Sequence, residues 1–273
     1  MDRIIQYMLE EDEGFGDVTS NAVVEKGKEI SARIVSKDEG ILAGMDVIRE
    51  VFEEYGIRVN FWLTDGTKIS KNDLLMSVAG DARTILLLER TVLNLSMRMS
   101  GVATAANHYV DLISDYDVRV AGTRKTSPAI AKFDKYALGV GGADTHRFSL
   151  DDMVLIKDNH IAACGTPLEA LLKAKANVSF SKKIEIEVET LDDAVECVKN
   201  GADIVMLDNM SPDEVHDVID KLNELNIRQC SLIEVSGGIT DDTIVDYAKL
   251  GVDIISIGAL THSSRSLNFS MKF

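Results

Sequence analysis

No apolar run in this 273-residue chain approaches the length that crosses a bilayer, so the sequence holds no membrane-spanning helix. Its first residues, MDRIIQYMLEEDEG, carry acids where a secretory signal would carry a basic end and an apolar middle. The expectation is a cytoplasmic protein. Cysteine is scarce: Cys164, Cys197 and Cys230 form an odd set without paired CxxC spacing, which argues against both a disulfide framework and a zinc site. Basic residues are outnumbered, 29 Lys and Arg against 45 Asp and Glu, leaving a net charge of −16 and a pI near 4.7. That balance argues against nucleic acid and anionic membrane as partners, since both reward positive charge over a broad surface. GxGxxG and Walker-type loops are also missing, so neither nucleotide-fold fingerprint is present.

What is present is a globular composition, 45% apolar, whose texture changes part-way along the chain. The first part reads as a helix ending at Gly14, alternating strands around Ile30 to Val35 and Ile57 to Leu63 with the amphipathic MDVIREVFEEYG between them, a turn at Thr64-Asp65-Gly66-Thr67, and a strand at LLMSVAG. A long helix then runs from Ala82 to about Met99, with a break expected at Ser100-Gly101 before a second helical stretch. After residue 115 come six short apolar runs, VRVAG, MVLIKD, IEIEVE, IVMLD, LIEVSGG and IISIGA, alternating with helical segments; Ser211-Pro212-Asp213-Glu214 opens one with a capping box and a first-turn proline. The fold class predicted is α/β: an N-terminal α+β sandwich over residues 1–114, then an incomplete (β/α) barrel over 115–273. The last segment, 265–273, is a candidate to return to the first domain.

Residues Arg119 to His160 depart from the acidic background. They hold seven Lys and Arg against five Asp, a local balance of +2, so the rest of the chain carries −18. Such a cluster suits a small, multiply charged anion. The barrel's alternation adds a second set: Glu185, Glu187 and Glu189 share an interior face, Lys157 shares one with Leu155, Asp208 with Met206, Ser236 with Glu234, and Gly258 with Ser256. Functional groups in β/α barrels collect at the carboxyl ends of strands, and Arg124, Lys125, Lys157, Glu187, Asp208, Ser236-Gly237-Gly238, Gly258 and His262 stand at or just beyond these ends. The glycines offer unobstructed N–H groups for a phosphate, and Glu187 and Asp208 are hard oxygen donors suited to Mg²⁺. Together they describe a transferase acting on a phosphorylated sugar and an anionic acceptor. From its spacing alone, Arg90 on the long helix reads as a packing arginine.

GTRKTSP, HR followed by LDDMVLIKDNHIAACG, IEIEVETL, IVMLDNM, IEVSGGI and ISIGALTHS, with EGFGDVTS, DGTKI and LLLERTVLNLSMRMSGVATA in the N-terminal half, resemble the successive signatures of the quinolinate phosphoribosyltransferase family over essentially the whole chain. The resemblance implies transfer from 5-phosphoribosyl-1-pyrophosphate to the ring nitrogen of quinolinate, with Mg²⁺, giving nicotinate mononucleotide, pyrophosphate and CO₂ in NAD biosynthesis. It implies that Arg90, Arg124, His146, Arg147 and Lys157 grip quinolinate, and that Lys125 sits near the pyrophosphate and the reacting centre. By the same matching, Glu187 and Asp208 serve ribose hydroxyls and metal, and Ser236, Gly237, Gly258 and His262 hold the 5′-phosphate. A homodimer or higher homo-oligomer is implied, with Arg90 entering the neighbouring subunit's site. One departure stands out: where the family has three glycines and an asparagine before His146-Arg147, this chain has Gly141-Gly142-Ala143-Asp144-Thr145, placing an extra negative charge beside a dianion site. Three competing readings are a paralogous phosphoribosyltransferase with another acceptor, a Schiff-base aldolase with Lys157 as nucleophile, and a phosphosugar binder. The intact LIKDNH weighs against the first, Asp158 and Glu187 beside Lys157 against the second, and the pairing of Glu187 with Asp208 against the third.

Overall fold

The computed structural model describes residues 2–273. The chain does not divide at one boundary near residue 115. One compact unit holds residues up to Asn107 with Thr126–Gly142 and Thr261–Phe273; the other holds His108–Lys125 and Ala143–Leu260.

The first unit opens with helices α1 (Arg3–Glu13) and α2 (Val18–Val23), each started by an aspartate, Asp2 and Asp17, whose carboxylate accepts from a first-turn N–H. Strands β1 (Glu29–Ser36) and β2 (Gly40–Ile41), helix α3 (Met45–Glu54), and strands β3 (Arg58–Trp62), β4 (Lys68–Ile69) and β5 (Leu74–Asp81) follow. The Thr64–Thr67 turn forms as read, and its Asp65 accepts the N–H groups of Gly44 and Met45 at the start of α3 at 2.9 and 2.8 Å. The long helix, α4 (Ala82–Leu112), is one continuous rod of 31 residues, and the break expected at Ser100-Gly101 does not occur. Small residues serve close packing here rather than termination. The Ser100 hydroxyl takes the N–H of Ala43 at 2.9 Å, and a Cβ on Gly101 would lie 2.3 Å from the Arg265 carbonyl oxygen. The C-terminal strand β12 (Phe269–Lys272) lies antiparallel against β1, completing a four-stranded sheet in the order β12-β1-β5-β3.

The second unit carries six parallel strands: β6 (Arg119–Ala121), β7 (Val154–Ile156), β8 (Ile184–Val188), β9 (Ile204–Asp208), β10 (Leu232–Ser236) and β11 (Ile254–Ser256). Their order is β6-β11-β10-β9-β8-β7, a barrel-like sheet left open between β6 and β7. Between strands run α6 (Asp158–Cys164), α7 (Pro167–Asn177), α8 (Leu191–Lys199), α9 (Pro212–Glu224) and α10 (Ile244–Ala248); the single turn α11 (Ala259–His262) follows β11 and its last two residues, like α5 (Ala131–Val140), belong to the first unit. The capping box read at Ser211 forms, with Glu214 returning to the Ser211 N–H at 2.7 Å. All of Ile184 to Val188 is buried, apolar residues on one face and Glu185 and Glu187 on the other. Register sets the interior layers: Glu187 lies level with Met206 and Met206 with Glu234, and at the carboxyl ends Asp208, Ser236 and Ser256 stand side by side.

Candidate active site

At the carboxyl ends of these strands is a cavity of about 490 Å³, lined among others by Arg124, Lys125, Arg147, Lys157, Glu187 and Asp208. His146, Ser236 and Gly237 also line it; Gly258 and His262 do not. His262 is exposed, with Nδ1 2.5 Å from the Ser263 hydroxyl. Arg90 belongs to the first unit and is exposed on α4. A larger surface hollow in the second unit, about 660 Å³, includes Arg228, whose guanidinium is already bonded to Asp253 and the Gly251 carbonyl.

The opening between β6 and β7 is where the basic groups enter. Asp144 pairs with the free edge of β6 as a single parallel bridge: its N–H donates to the Val120 carbonyl at 2.8 Å and its carbonyl accepts from Gly122 at 2.9 Å. This fragment of a strand delivers His146 and Arg147 to the interior. His146 has φ +53°, a left-handed conformation that costs a non-glycine residue about 1–2 kcal/mol. The Asp144 carboxylate accepts the His146 N–H at 2.7 Å and holds that turn. Asp144 lines the cavity at the opposite, amino-terminal ends of the strands and not the one holding Lys157 and Asp208, while His146 and Arg147 line both. The extra charge that looked misplaced in the sequence thus does the work of an asparagine in a turn.

Arg147 is 7% exposed; burial lowers its pKa first and the Arg124 charge adds to this, while Glu185 and Glu187 oppose the shift. Lys157, just past β7, is ion-paired with Glu187 across the pocket. An ammonium held by a carboxylate is not the neutral amine that Schiff-base chemistry needs. Asp208 ends β9, and its carboxylate accepts from the Asn209 side chain at 2.8 Å. Gly237 has φ +97°, and a Cβ there would sit 2.1 Å from Asn209 Oδ1, so only glycine lets this loop close on β9.

Sequence reasoning put Glu185, Glu234 and Ser256 on interior faces without giving them a place in the site. Glu185 and Glu234 are wholly buried, and the His146 ring lies between them, Nε2 3.3 Å from one and 3.4 Å from the other. Burial works against a charged His146 ring, but the two carboxylates facing Nε2, Glu185 and Glu234, outweigh it and lift the pKa to about 10. Against that rise stands the Arg147 N–H, which donates to His146 Nδ1 at 2.8 Å and needs a lone pair there. This contact is directional, and it favours the neutral ring with its proton on Nε2. Burial raises the Glu185 pKa, with opposition from the neighbouring His146 ring. Ser256 is 2% exposed, its hydroxyl has no partner, and it lines the cavity beside Ser236. The signal for all three was the period of two along strands already chosen for their end residues.

The models for the quinolinate phosphoribosyl transferase N-terminal and C-terminal domains match residues 17–100 and 102–272. The chain belongs to the quinolinate phosphoribosyltransferase family. Among relatives, a Methanocaldococcus jannaschii protein named probable nicotinate-nucleotide pyrophosphorylase (carboxylating) is 47% identical over 98% of this chain and 95% of its own. The nicotinate-nucleotide pyrophosphorylase (carboxylating) of Homo sapiens is 37% identical over 88% of this chain and 81% of its own. The crystal structure of NadC from Streptococcus pyogenes superposes with a TM-score of 0.91 at 37% identity, covering 98% of this chain and 95% of that one. The family is one of pentosyltransferases, and the α/β class with a sheet domain and a parallel barrel-like domain is the family's fold.

Proposed function

We propose that the chain carries out its family's reaction, phosphoribosyl transfer from 5-phosphoribosyl-1-pyrophosphate to quinolinate with loss of CO₂, giving nicotinate mononucleotide and pyrophosphate. The observation that carries this reading is one cavity in which Arg124, Arg147 and Lys157 face Glu187 and Asp208, so that anion-binding and cation-stabilising groups meet across a small space.

In this reading Arg124, Arg147 and Lys157 hold the two carboxylates of quinolinate, forked donors giving orientation and the ammonium giving charge. Lys125, beside them on the exposed turn after β6, serves the pyrophosphate. Ser236 and the Gly237 loop offer hydroxyl and N–H donors to the 5′-phosphate, with Gly258 and His262 following in the family's motif. As pyrophosphate leaves, the ribose carbon gains cationic character, and the Glu187 carboxylate is placed to stabilise it. No covalent nucleophile is required. Once ribosylated, the ring nitrogen is positively charged and stabilises the electron pair left on the adjacent carbon when its carboxylate departs as CO₂; that carbon then takes a proton from solvent, so the protein's task is to position and desolvate.

Mg²⁺ fits the residues present: Glu187 and Asp208 end adjacent strands, and this ion commonly takes one or two protein carboxylates with the remainder from substrate phosphates and water. When bound it would supply charge neutralisation to the departing pyrophosphate. Arg90, exposed on α4, is assigned to the site of a neighbouring copy in a homodimer or larger assembly.

The test is direct. Purified protein is incubated with phosphoribosyl pyrophosphate, Mg²⁺ and either quinolinate or nicotinate, and nicotinate mononucleotide and CO₂ are followed. Product and CO₂ from quinolinate alone are expected; turnover of nicotinate, or silence with both while the donor still binds, would overturn the acceptor assignment.

A further inference from the structure

Two wholly buried carboxylates with one imidazole between them form an unusual floor for a pocket meant to hold a dianion. Three of their four oxygens, both of Glu185 and Oε1 of Glu234, have no hydrogen-bond partner, and His146 Nε2 is the donor that approaches both groups. The other ring nitrogen is occupied too, by the N–H of the next residue, Arg147. His146 also stands in a left-handed conformation that its Asp144 contact holds in place.

These contacts decide between three uses of the ring. A cation bound among His146, Glu185 and Glu234 would find three donor atoms within 4.8 Å of one another. It would also require Nε2 to give up its proton, and the only place to put it, Nδ1, is blocked by the Arg147 N–H. Direct capture of a substrate carboxylate needs a ring N–H pointing at the ligand, and the one available points at two glutamates. The third use remains. We infer that His146 is a positioning residue: held at both ring nitrogens inside the protein, it fixes the main chain of Arg147 and so aims that guanidinium into the pocket, without contacting the acceptor itself. Glu185 and Glu234 act through it.

The inference rests on reading the cavity as the quinolinate site, and its tests separate the two. Quinolinate affinity is measured by calorimetry in a double-mutant cycle of His146→Ala with Arg147→Lys. His146→Ala alone, and Glu234→Leu alone, weaken quinolinate about tenfold or more, with KM for the ribosyl donor within about twofold. Glu234→Gln, whose Oε1 still accepts the Nε2 proton, recovers most of the loss. In the Arg147→Lys background His146→Ala adds less than about twofold, because a group acting only through Arg147 has little left to act on. Full additivity in that background overturns the inference.

A second readout uses the unaltered protein. In spectra of ¹⁵N-histidine-labelled protein, the His146 resonances, assigned by their loss in His146→Gln, show the Nε2–H tautomer and stay in place at saturating quinolinate. Resonances that move with ligand, a ring protonated at Nδ1, or a metal that copurifies stoichiometrically and disappears in Glu185→Gln each overturn the positioning role. A wild type that binds no quinolinate overturns the functional reading instead, and the tautomer in the free protein then still decides how the ring is held.

Discussion

Asp144 and Arg147 lie three residues apart, and their environments make opposite predictions. The Asp144 carboxylate accepts a main-chain N–H within its own turn and faces the cavity at the far ends of the strands. Asn accepts the same bond, so Asp144→Asn is expected to leave KM for quinolinate within about twofold in steady-state assays. Arg147 is buried with its guanidinium at the pocket, where a forked donor can meet a carboxylate with two parallel bonds. Lysine keeps the charge and loses the fork, so Arg147→Lys is expected to weaken quinolinate by about 1.5–3 kcal/mol, on the order of ten- to a hundredfold in kcat/KM. Were the two substitutions to behave alike, the placement of Asp144 outside the quinolinate pocket would be wrong.

Elements carry stability more than chemistry. On α4, Arg98 reaches Asp134 of α5 with two bonds of 3.0 Å, and Asp134 is wholly buried. Arg98→Leu would strand that carboxylate and is expected to destabilise the protein by about 3–5 kcal/mol, read from the urea midpoint. The start of α4 predicts a pH effect. Asp81 accepts the Thr84 N–H, which holds its pKa below the ordinary 3.8. A carboxylate with a depressed folded pKa contributes stability that is present above the unfolded pKa and lost as pH falls through the folded one. The stability difference between wild type and Asp81→Ala is therefore expected to be full at pH 6 and to shrink below about pH 4; a difference independent of pH would remove the charge from the explanation. Ser100-Gly101 shows where reading elements from sequence misled: a Ser-Gly pair is a stop signal on an isolated helix, and here it is the contact surface of a continuous one.

At the scale of the whole molecule, the assembly proposal has a sharp consequence. If Arg90 serves a neighbour's site and Arg147 its own, Arg90→Ala and Arg147→Ala proteins are each nearly inactive alone. Mixed and allowed to exchange, random dimers would contain one intact site in half of the population, restoring about a quarter of wild-type activity. No recovery, with exchange confirmed by tagged subunits, would place Arg90 outside the active site. The charge of −16 acts at this scale as well, favouring solubility, and the local surplus of cations between Arg119 and His160 stands out against it.

What the sequence determined by itself was whatever depends on local order. Alternation along IEIEVE put Glu185 and Glu187 on the interior face, strand ends marked Lys157 and Asp208, and the succession of strands and helices implied a parallel barrel-like sheet. Packing distance decided the rest. Which glutamate meets Lys157 depends on β7 lying beside β8, and that Glu185 and Glu234 both meet His146 depends on the single bridge of Asp144 with β6. The pairing of β12 with β1 joins residues more than 230 positions apart, and no periodicity encodes such a contact. Local sequence sets which face a side chain occupies; only the closed fold sets what stands opposite it.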